Sequence, residues 1–252
     1  SEGSLTVDDM LTLFEKYPEA AFSYSFSVAG QTVDASTESL DLSGASHDEL
    51  SAVSPLLSRA AALKTIDMGS ESDGLSFDDV GLVQTACPDA EIEYRFELFG
   101  KEFSTLDESM DFWYVPMNDG GAAVRRVLPY MKRCTYVDMD SCGISNEDMA
   151  ALQADFPEMK IVWRIWFAKR YSVRTDVERI LASNPTSGGN LTLKNTADLK
   201  YCTKVRYMDI GHNEILGAIP FVQYMPELEV LIAAMDGLTD MSALSACTKL
   251  EY

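Results

Sequence analysis

The sequence predicts an α/β solenoid, a stack of short parallel strands each led back by a return segment, with β-hairpins inserted in some of the units. Two series of regularly spaced residues predict it. Four segments align as helix, proline, strand: TVDDMLTLFEKYPEAAFSYSFSV from Thr6, SFDDVGLVQTACPDAEIEYRFEL from Ser76, SNEDMAALQADFPEMKIVWRIWF from Ser145 and, more divergently, ILGAIPFVQYMPELEVLIAAM from Ile215. Their prolines, Pro18, Pro88, Pro157 and Pro226, recur at a nearly constant interval of about 70 residues. Between them run LKTIDM, CTYVDM and KVRYMDI, whose Asp67, Asp138 and Asp209 are evenly spaced at almost the same interval. Such a spacing marks a repeated supersecondary unit whose apolar face is covered only by its neighbours.

In chain order, each helix carries its own start signal. Thr6 to Asp9, Ser46 to Glu49, Ser76 to Asp79 and Ser145 to Asp148 each place a hydroxyl at an N-cap and acids in the first turn, facing the positive end of the helix dipole. Strands are read where paired apolar positions recur: Leu40/Leu42, Ile66/Met68, Ile92/Tyr94, Met110/Phe112, Val137/Met139, Ile161/Trp163, Leu191/Leu193, Met208/Ile210 and Leu231/Ala233. After each of the first three proline strands comes extra chain, VAGQTVDAST, LFGKEFSTLDES and FAKRYSVRTDVER. Alternation through Ile92, Tyr94, Phe96 and Leu98, then Gly100 and Phe103, predicts a strand that overshoots and turns back. In the C-terminal third, apolar residues fall every third position at Leu216, Ile219, Val222, Met225 and Leu228. The same pattern returns one repeat later at Leu238, Met241, Leu244, Cys247 and Leu250.

Some of these residues carry a family resemblance. VRYMDIGHN, with Val205, Met208, Ile210 and Asn213, fits the LxxLxLxxN pattern of leucine-rich repeats, and Cys134, Val137, Met139 and Cys142 fit its cysteine variant. GLTDMSALSACTKLEY, from Gly237 to Tyr252, resembles the short repeats of bacterial internalin-type proteins. The resemblance implies a right-handed leucine-rich-repeat solenoid with a parallel sheet on its concave face. It implies one domain over residues 1–252, with 1–45 as an N-terminal cap, 191–252 as the most regular repeats and a truncated last repeat. It further implies a secreted or cell-surface bacterial protein that binds other proteins. Cys142 and Asn213, at one pattern position, are expected to satisfy backbone groups of the turn.

Composition narrows the partners. Of 252 residues, 46% are apolar, enough for a sizeable core. Forty acidic and twenty basic side chains give a formal charge of -20, which repels phosphate backbones and anionic headgroups over about 8 Å at physiological salt. Nucleic acid is therefore not an expected partner. Direct membrane insertion is not expected either, since no apolar run approaches the roughly 20 residues of a membrane span. Cys87, Cys134, Cys142, Cys202 and Cys247 form no CxxC pair and no ligand set with His47 and His212, so packing roles and no metal are expected. The basic pairs Arg125-Arg126, Lys132-Arg133 and Lys169-Arg170 are expected to be solvated.

The functional reading follows from strand alternation, which turns the residues between the core positions outward. The concave-face candidates are Thr65, Asp67, Asp111, Trp113, Tyr136, Asp138, Asp140, Tyr207 and Asp209, an acidic and aromatic surface suited to a protein ligand. Trp163 and Trp166 fall on opposite sides of one strand. A glycan is the alternative ligand, and a hydrolase with paired carboxylates a further alternative. No GxSxG, HExxH, P-loop or GxGxxG is present, and Asp138-Met-Asp140-Ser-Cys-Gly143 is only a fragment of a calcium loop. The chain is accordingly read as a non-enzyme without a cofactor.

Overall fold

The computed structural model describes residues 5–20, 22–168, 171–184, 191–213 and 217–252. Leu216 and the Lys169-Arg170 pair lie outside the described residues. The chain is mixed α/β, with several small sheets and, among the described residues, five α-helices. Its contacts divide it into two compact units, Ser1–Met110 with Ala122–Cys134, and Asp111–Gly121 with Thr135–Tyr252.

In the first unit, α1 (Val7–Lys16) is followed by β1 (Ser25–Val28), β2 (Gln31–Asp34), β3 (Ser39–Asp41), α2 (His47–Leu57), β4 (Thr65–Ser70), α3 (Phe77–Ala86), β5 (Glu91–Leu98) and β6 (Lys101–Ser104). The division falls within β7 (Ser109–Asp111), and α4 (Ala122–Val127) returns to the first unit. Strands β3, β4 and β5 are parallel and in register, Leu40 beside Ile66 beside Ile92, all three buried. Helices α2 and α3 lead the chain back, burying Leu50, Val53, Leu56 and Leu57 from one and Val80 and Val83 from the other. Each such side chain contributes about 1.5–3 kcal/mol by leaving water.

The second unit holds β8 (Tyr136–Asp138), α5 (Asn146–Asp155), β9 (Lys160–Val162), β10 (Arg164–Phe167), β11 (Tyr171–Arg174), β12 (Arg179–Leu181), β13 (Tyr207–Asp209) and β14 (Val230–Ile232). Val137 pairs in parallel with Ile161, and Met208 with Ile180 on one side and Leu231 on the other. Here the returns tighten from an α-helix to 3₁₀ turns at Ala197–Tyr201, Pro220–Tyr224 and Ser242–Ala246. A 3₁₀ helix repeats every three residues, so the three-residue apolar spacing puts Ile219, Val222, Met225 and Leu228 on one buried side. The second set is less covered: Cys247 is buried, Leu238, Leu244 and Leu250 are half-buried and Met241 is exposed.

The local signals act as read. Thr6 and Asp9 form a reciprocal capping box; Ser76 N–H and Oγ–H both donate to Asp79 Oδ2; Ser46 and Ser145 accept from Glu49 and Asp148 N–H. Such caps are each worth about 1 kcal/mol. Pro18, Pro88 and Pro157 follow the C-caps Tyr17, Cys87 and Phe156, where a ring without an N–H cannot extend the helix. The hairpins form at all three places: β1 with β2, β5 with β6 and β10 with β11, each antiparallel. The first two close through two-residue turns with φ positive at both positions, Ala29-Gly30 and Phe99-Gly100, the twist antiparallel strands require. Two threonines at corresponding places clasp the later hairpins. Thr105 Oγ1 accepts from Tyr94 N–H and donates to Ile92 O, while Thr175 Oγ1 accepts from Trp163 N–H.

One strand assignment is corrected. Leu191 and Leu193 form no strand; the partner of β13 is Arg179–Leu181, with Ile180 and Ala182 buried. Leu191 gives its N–H to Asn213 Oδ1 instead of to a ladder, and Leu193 is exposed. The small side chain of Ala182 makes the true strand look weaker in sequence than the LTL triplet. Asn213 Nδ2 donates to Ala182, Ile210 and Gly211 carbonyls and Cys142 Sγ to Phe112 O, so this position does serve the turns.

Candidate binding surface

The strand-end aspartates have a common local role. Asp41, Asp67, Asp111, Asp138 and Asp209 each accept a hydrogen bond from the N–H two residues on, those of Ser43, Gly69, Trp113, Asp140 and Gly211, at 2.7–3.1 Å. An aspartate that holds its own backbone in this way forms an Asx turn. The intervening residues, Leu42, Met68, Phe112, Met139 and Ile210, all point into the core. The third residue after Asp111, Asp138 and Asp209, namely Tyr114, Ser141 and His212, has φ of 56–64°. The acids thus recur because the turn that ends each strand recurs.

Thr65 and Asp67 lie in the first unit. Thr65 is exposed beside Ser39 and Glu91, and Asp67 pairs with Arg95, which also pairs with Glu93. The other seven candidates lie in the second unit and do not form the open acidic row expected of them.

Asp140 is the clearest correction. It is fully buried, and its carboxylate receives Arg164 Nε at 2.8 Å, Arg164 Nη2 at 2.7 Å and Ser141 Oγ at 2.7 Å. Burial pushes this carboxyl up, but the bonds from Arg164 and Ser141 outweigh burial and hold it below the usual carboxylate range. Asp138 receives Arg174 Nη1 at 2.9 Å, and Arg174 Nη2 donates to Tyr136 Oη at 2.7 Å. Burial and the charge of Asp138 raise the Tyr136 phenol. Two guanidiniums from the β10–β11 hairpin therefore neutralise Asp138, the last residue of β8, and Asp140 just after it. Alternation had put Asp140 on the open face because it did not account for a hairpin side chain reaching over it.

The aromatic residues remain open. Trp113 is 57% exposed, Tyr114 62% and Trp166 65%, and the Trp113 and Tyr114 rings meet edge to face at 4.8 Å. Tyr114 N–H donates to Asp140 O, and Asp140 holds Arg164. On β10, Arg164 and Trp166 share one side, two residues or about 7 Å apart. Their cross-strand partners Arg174 and Ser172 are on that side too. Contacts thus lead from the Trp113–Tyr114 pair to the buried ion pair, and Trp166 stands on the same side of β10 as Arg164. Trp163, on the opposite side, is buried and donates its indole N–H to Asn146 Oδ1 at 3.1 Å.

Tyr207 and Asp209 belong to a different face, that of β12, β13 and β14. Tyr207 lies between Arg179 and Val230, with the Arg179 guanidinium 4.6 Å from its ring centre, and Asp209 lies between Leu181 and Ile232. The expected accumulation of carboxylates and tyrosines does not occur there, because the neighbouring strands put Leu181, Val230 and Ile232 outward. Sequence reasoning missed Arg164 and Arg174. The signal was available: Arg164 stands one long repeat after Arg95, and in both units an arginine on the hairpin strand pairs with an acid in or just after an earlier strand, Asp67 in one and Asp140 in the other.

No family model matches the sequence, and a search of curated proteins returns no match. Solved structures with similarity include an internalin, inlF, from Listeria monocytogenes, at 10% identity and a TM-score of 0.22, covering 79% of this chain and 49% of that one. TLR13 in its complex with ssRNA13 matches at 12% identity and a TM-score of 0.25, covering 86% of this chain and 35% of that one. The chain therefore spans about half the length of the first and about a third of the second.

Proposed function

We propose that the chain is a non-catalytic, leucine-rich-repeat-type solenoid that binds another protein through the Trp113, Tyr114 and Trp166 surface. The observation that carries this reading is the exposure of three large aromatics around a buried Asp140–Arg164 pair. Tryptophan, tyrosine and arginine dominate binding energy at protein interfaces because they offer wide, rigid contact area at little entropic cost. The solenoid reading rests on the sequence period, which continues through both units, and on parallel strands in register within each. It carries with it a single repeat-built domain and, from the internalin-like repeat alone, a secreted or cell-surface bacterial location.

The non-catalytic reading is supported by the use already made of the acids. Asp138 and Asp140, the pair that could have served a hydrolase, are engaged by Arg174 and Arg164, and Asp138 also holds a turn amide. No described helix is long and apolar enough to cross a membrane.

The test is a pull-down in which the protein and its Trp113→Ala/Tyr114→Ala variant compete for the same prey. Loss of a specific prey at unchanged melting temperature supports the reading, and equal capture by both rejects this surface. Retention on a glycan array that disappears with the variant would replace the protein ligand by a sugar. Turnover in a hydrolase panel, stopped by replacing Asp138 and Asp140, would overturn the non-catalytic reading.

A further inference from the structure

Away from the aromatic surface, the second unit has a small cavity of about 220 Å³ between α5, β9 and the Ala197–Tyr201 turn. Lys160, Lys200 and Lys204 line it, together with Trp163 and Tyr201, whose ring centres are 5.7 Å apart. In a chain with twice as many acids as bases, three lysines lining one small cavity is a local concentration of positive charge, although the Lys160 ammonium is itself held between Asp176 and the Tyr136 ring. Asp176 is the one acid in the lining, so the cavity carries a formal charge of about +2.

Two of the neighbouring acids, Asp176 and Glu227, are paired with cations. Lys160 Nζ is 2.7 Å from Asp176 Oδ2, and the other oxygen of Asp176 is 3.3 Å from Arg174 Nε. Near Lys200, Asp198 accepts from the neutral Asn146 Nδ2 and keeps its charge, and Glu147 in the first turn of α5 also acts on the ammonium. Near Lys204, Glu227 is held by Lys249. Lys200 lies over the Tyr201 ring with its Nζ 4.8 Å from the centre, and Lys204 makes no ion pair with another described residue. Gln153, also in the lining, has both ends used: its Oε1 accepts from Ile161 N–H and its Nε2 donates to Phe156 and Met159 carbonyls. The donors left for a ligand are the ammonium groups of Lys204 and of Lys200, the latter also bonded to Tyr201, and the Thr203 hydroxyl, beside an aromatic wall.

We infer that this cavity binds a small oxyanion, a carboxylate or a phosphate, held by Lys200 and Lys204 with Lys160 at its edge. Its volume is below that of drug-sized sites, which begin at roughly 300 Å³, and suits a small group. Ammonium groups bind such anions as point charges through charge-assisted hydrogen bonds.

The test follows the three tryptophan indole N–H signals by ¹H–¹⁵N NMR, assigned by Trp→Phe variants, during titration with sodium phosphate or sodium acetate at constant ionic strength. The Trp163 signal is expected to shift saturably while those of Trp113 and Trp166, outside the cavity, stay in place. In Lys200→Met/Lys204→Met, with an unchanged melting temperature, the apparent affinity should fall at least about tenfold, the weight of roughly one charge-assisted contact. Response to phosphate alone, or to acetate alone, identifies which oxyanion the site takes. No saturable shift with either salt, equal shifts of all three indoles, or an unaltered titration in the double variant overturns the inference.

Discussion

Replacing Arg164 by Met should be among the most damaging single changes in the second unit. The side chain of Asp140 is 1% exposed and that of Arg164 25%, and two guanidinium nitrogens reach the carboxylate at 2.7 and 2.8 Å. An exposed ion pair is worth about 0–1 kcal/mol, whereas removing one partner of a buried pair costs about 3–5 kcal/mol by leaving a charge without compensation. Asp140 would keep Ser141 Oγ at 2.7 Å and Arg174 Nη1 at 3.5 Å, which places the loss near the lower end, about 3 kcal/mol. For a chain of this size that is a fall in melting temperature of about 6–12 °C. Urea unfolding of the wild type, Arg164→Met, Asp140→Asn and the double variant forms a complete cycle, in which the double variant should recover much of the loss. The pH dependence supplies a second reading. Because the folded-state pKa of Asp140 is depressed, its stabilisation is present above the unfolded value of about 3.9 and is lost as pH falls through the folded value. Arg164→Met should remove that acid sensitivity. A cost below about 1 kcal/mol, or additive single effects, would refute the buried-pair argument.

Two further perturbations test individual contacts. His47 Nδ1 lies 2.6 Å from Asp79 Oδ1, and the hydrogen bond and charge of Asp79 raise the imidazole pKa. The stabilisation is thus full below the unfolded value of about 6.5 and is lost as pH rises through the higher folded value, so melting curves of wild type and His47→Gln should converge on the alkaline side and differ on the acid side; parallel curves would show that the contact contributes nothing. Asp236 occupies the pattern position of Asn213, but its Oδ2 is buried with no hydrogen-bond partner among the described residues, and burial raises its pKa against the opposing bond from Asn213 N–H and the charge of His212, with Asp209 adding to the rise. The penalty is therefore present above the raised folded value and fades as pH falls towards about 3.9. Asp236→Asn should gain about 1–3 kcal/mol at neutral pH and lose this pH dependence, as read by urea unfolding at pH 5 and 8; destabilisation at both would contradict it.

What the sequence determined by itself was whatever a few neighbouring residues decide. Hydroxyl caps, the prolines after α1, α3 and α5, the two-residue hairpin turns and the inward positions Ile66, Val137 and Met208 all depend on local hydrogen bonds and on the two-residue alternation of a strand. The resulting repeat was legible because it is written several times over. Tertiary structure alone decided which outward residues stay outward. Asp140 is covered because Arg164, from a hairpin later in the chain, reaches it; Tyr207 and Asp209 have apolar neighbours because β12 is Arg179–Leu181 rather than Leu191/Leu193. Lys160, Lys200 and Lys204 share a cavity though a long stretch of chain, the whole β10–β11 hairpin included, separates the first two. Periodicity states which side of a strand a residue leaves from, while its partner is set by side chains brought close from distant chain, and that pairing has no period to read.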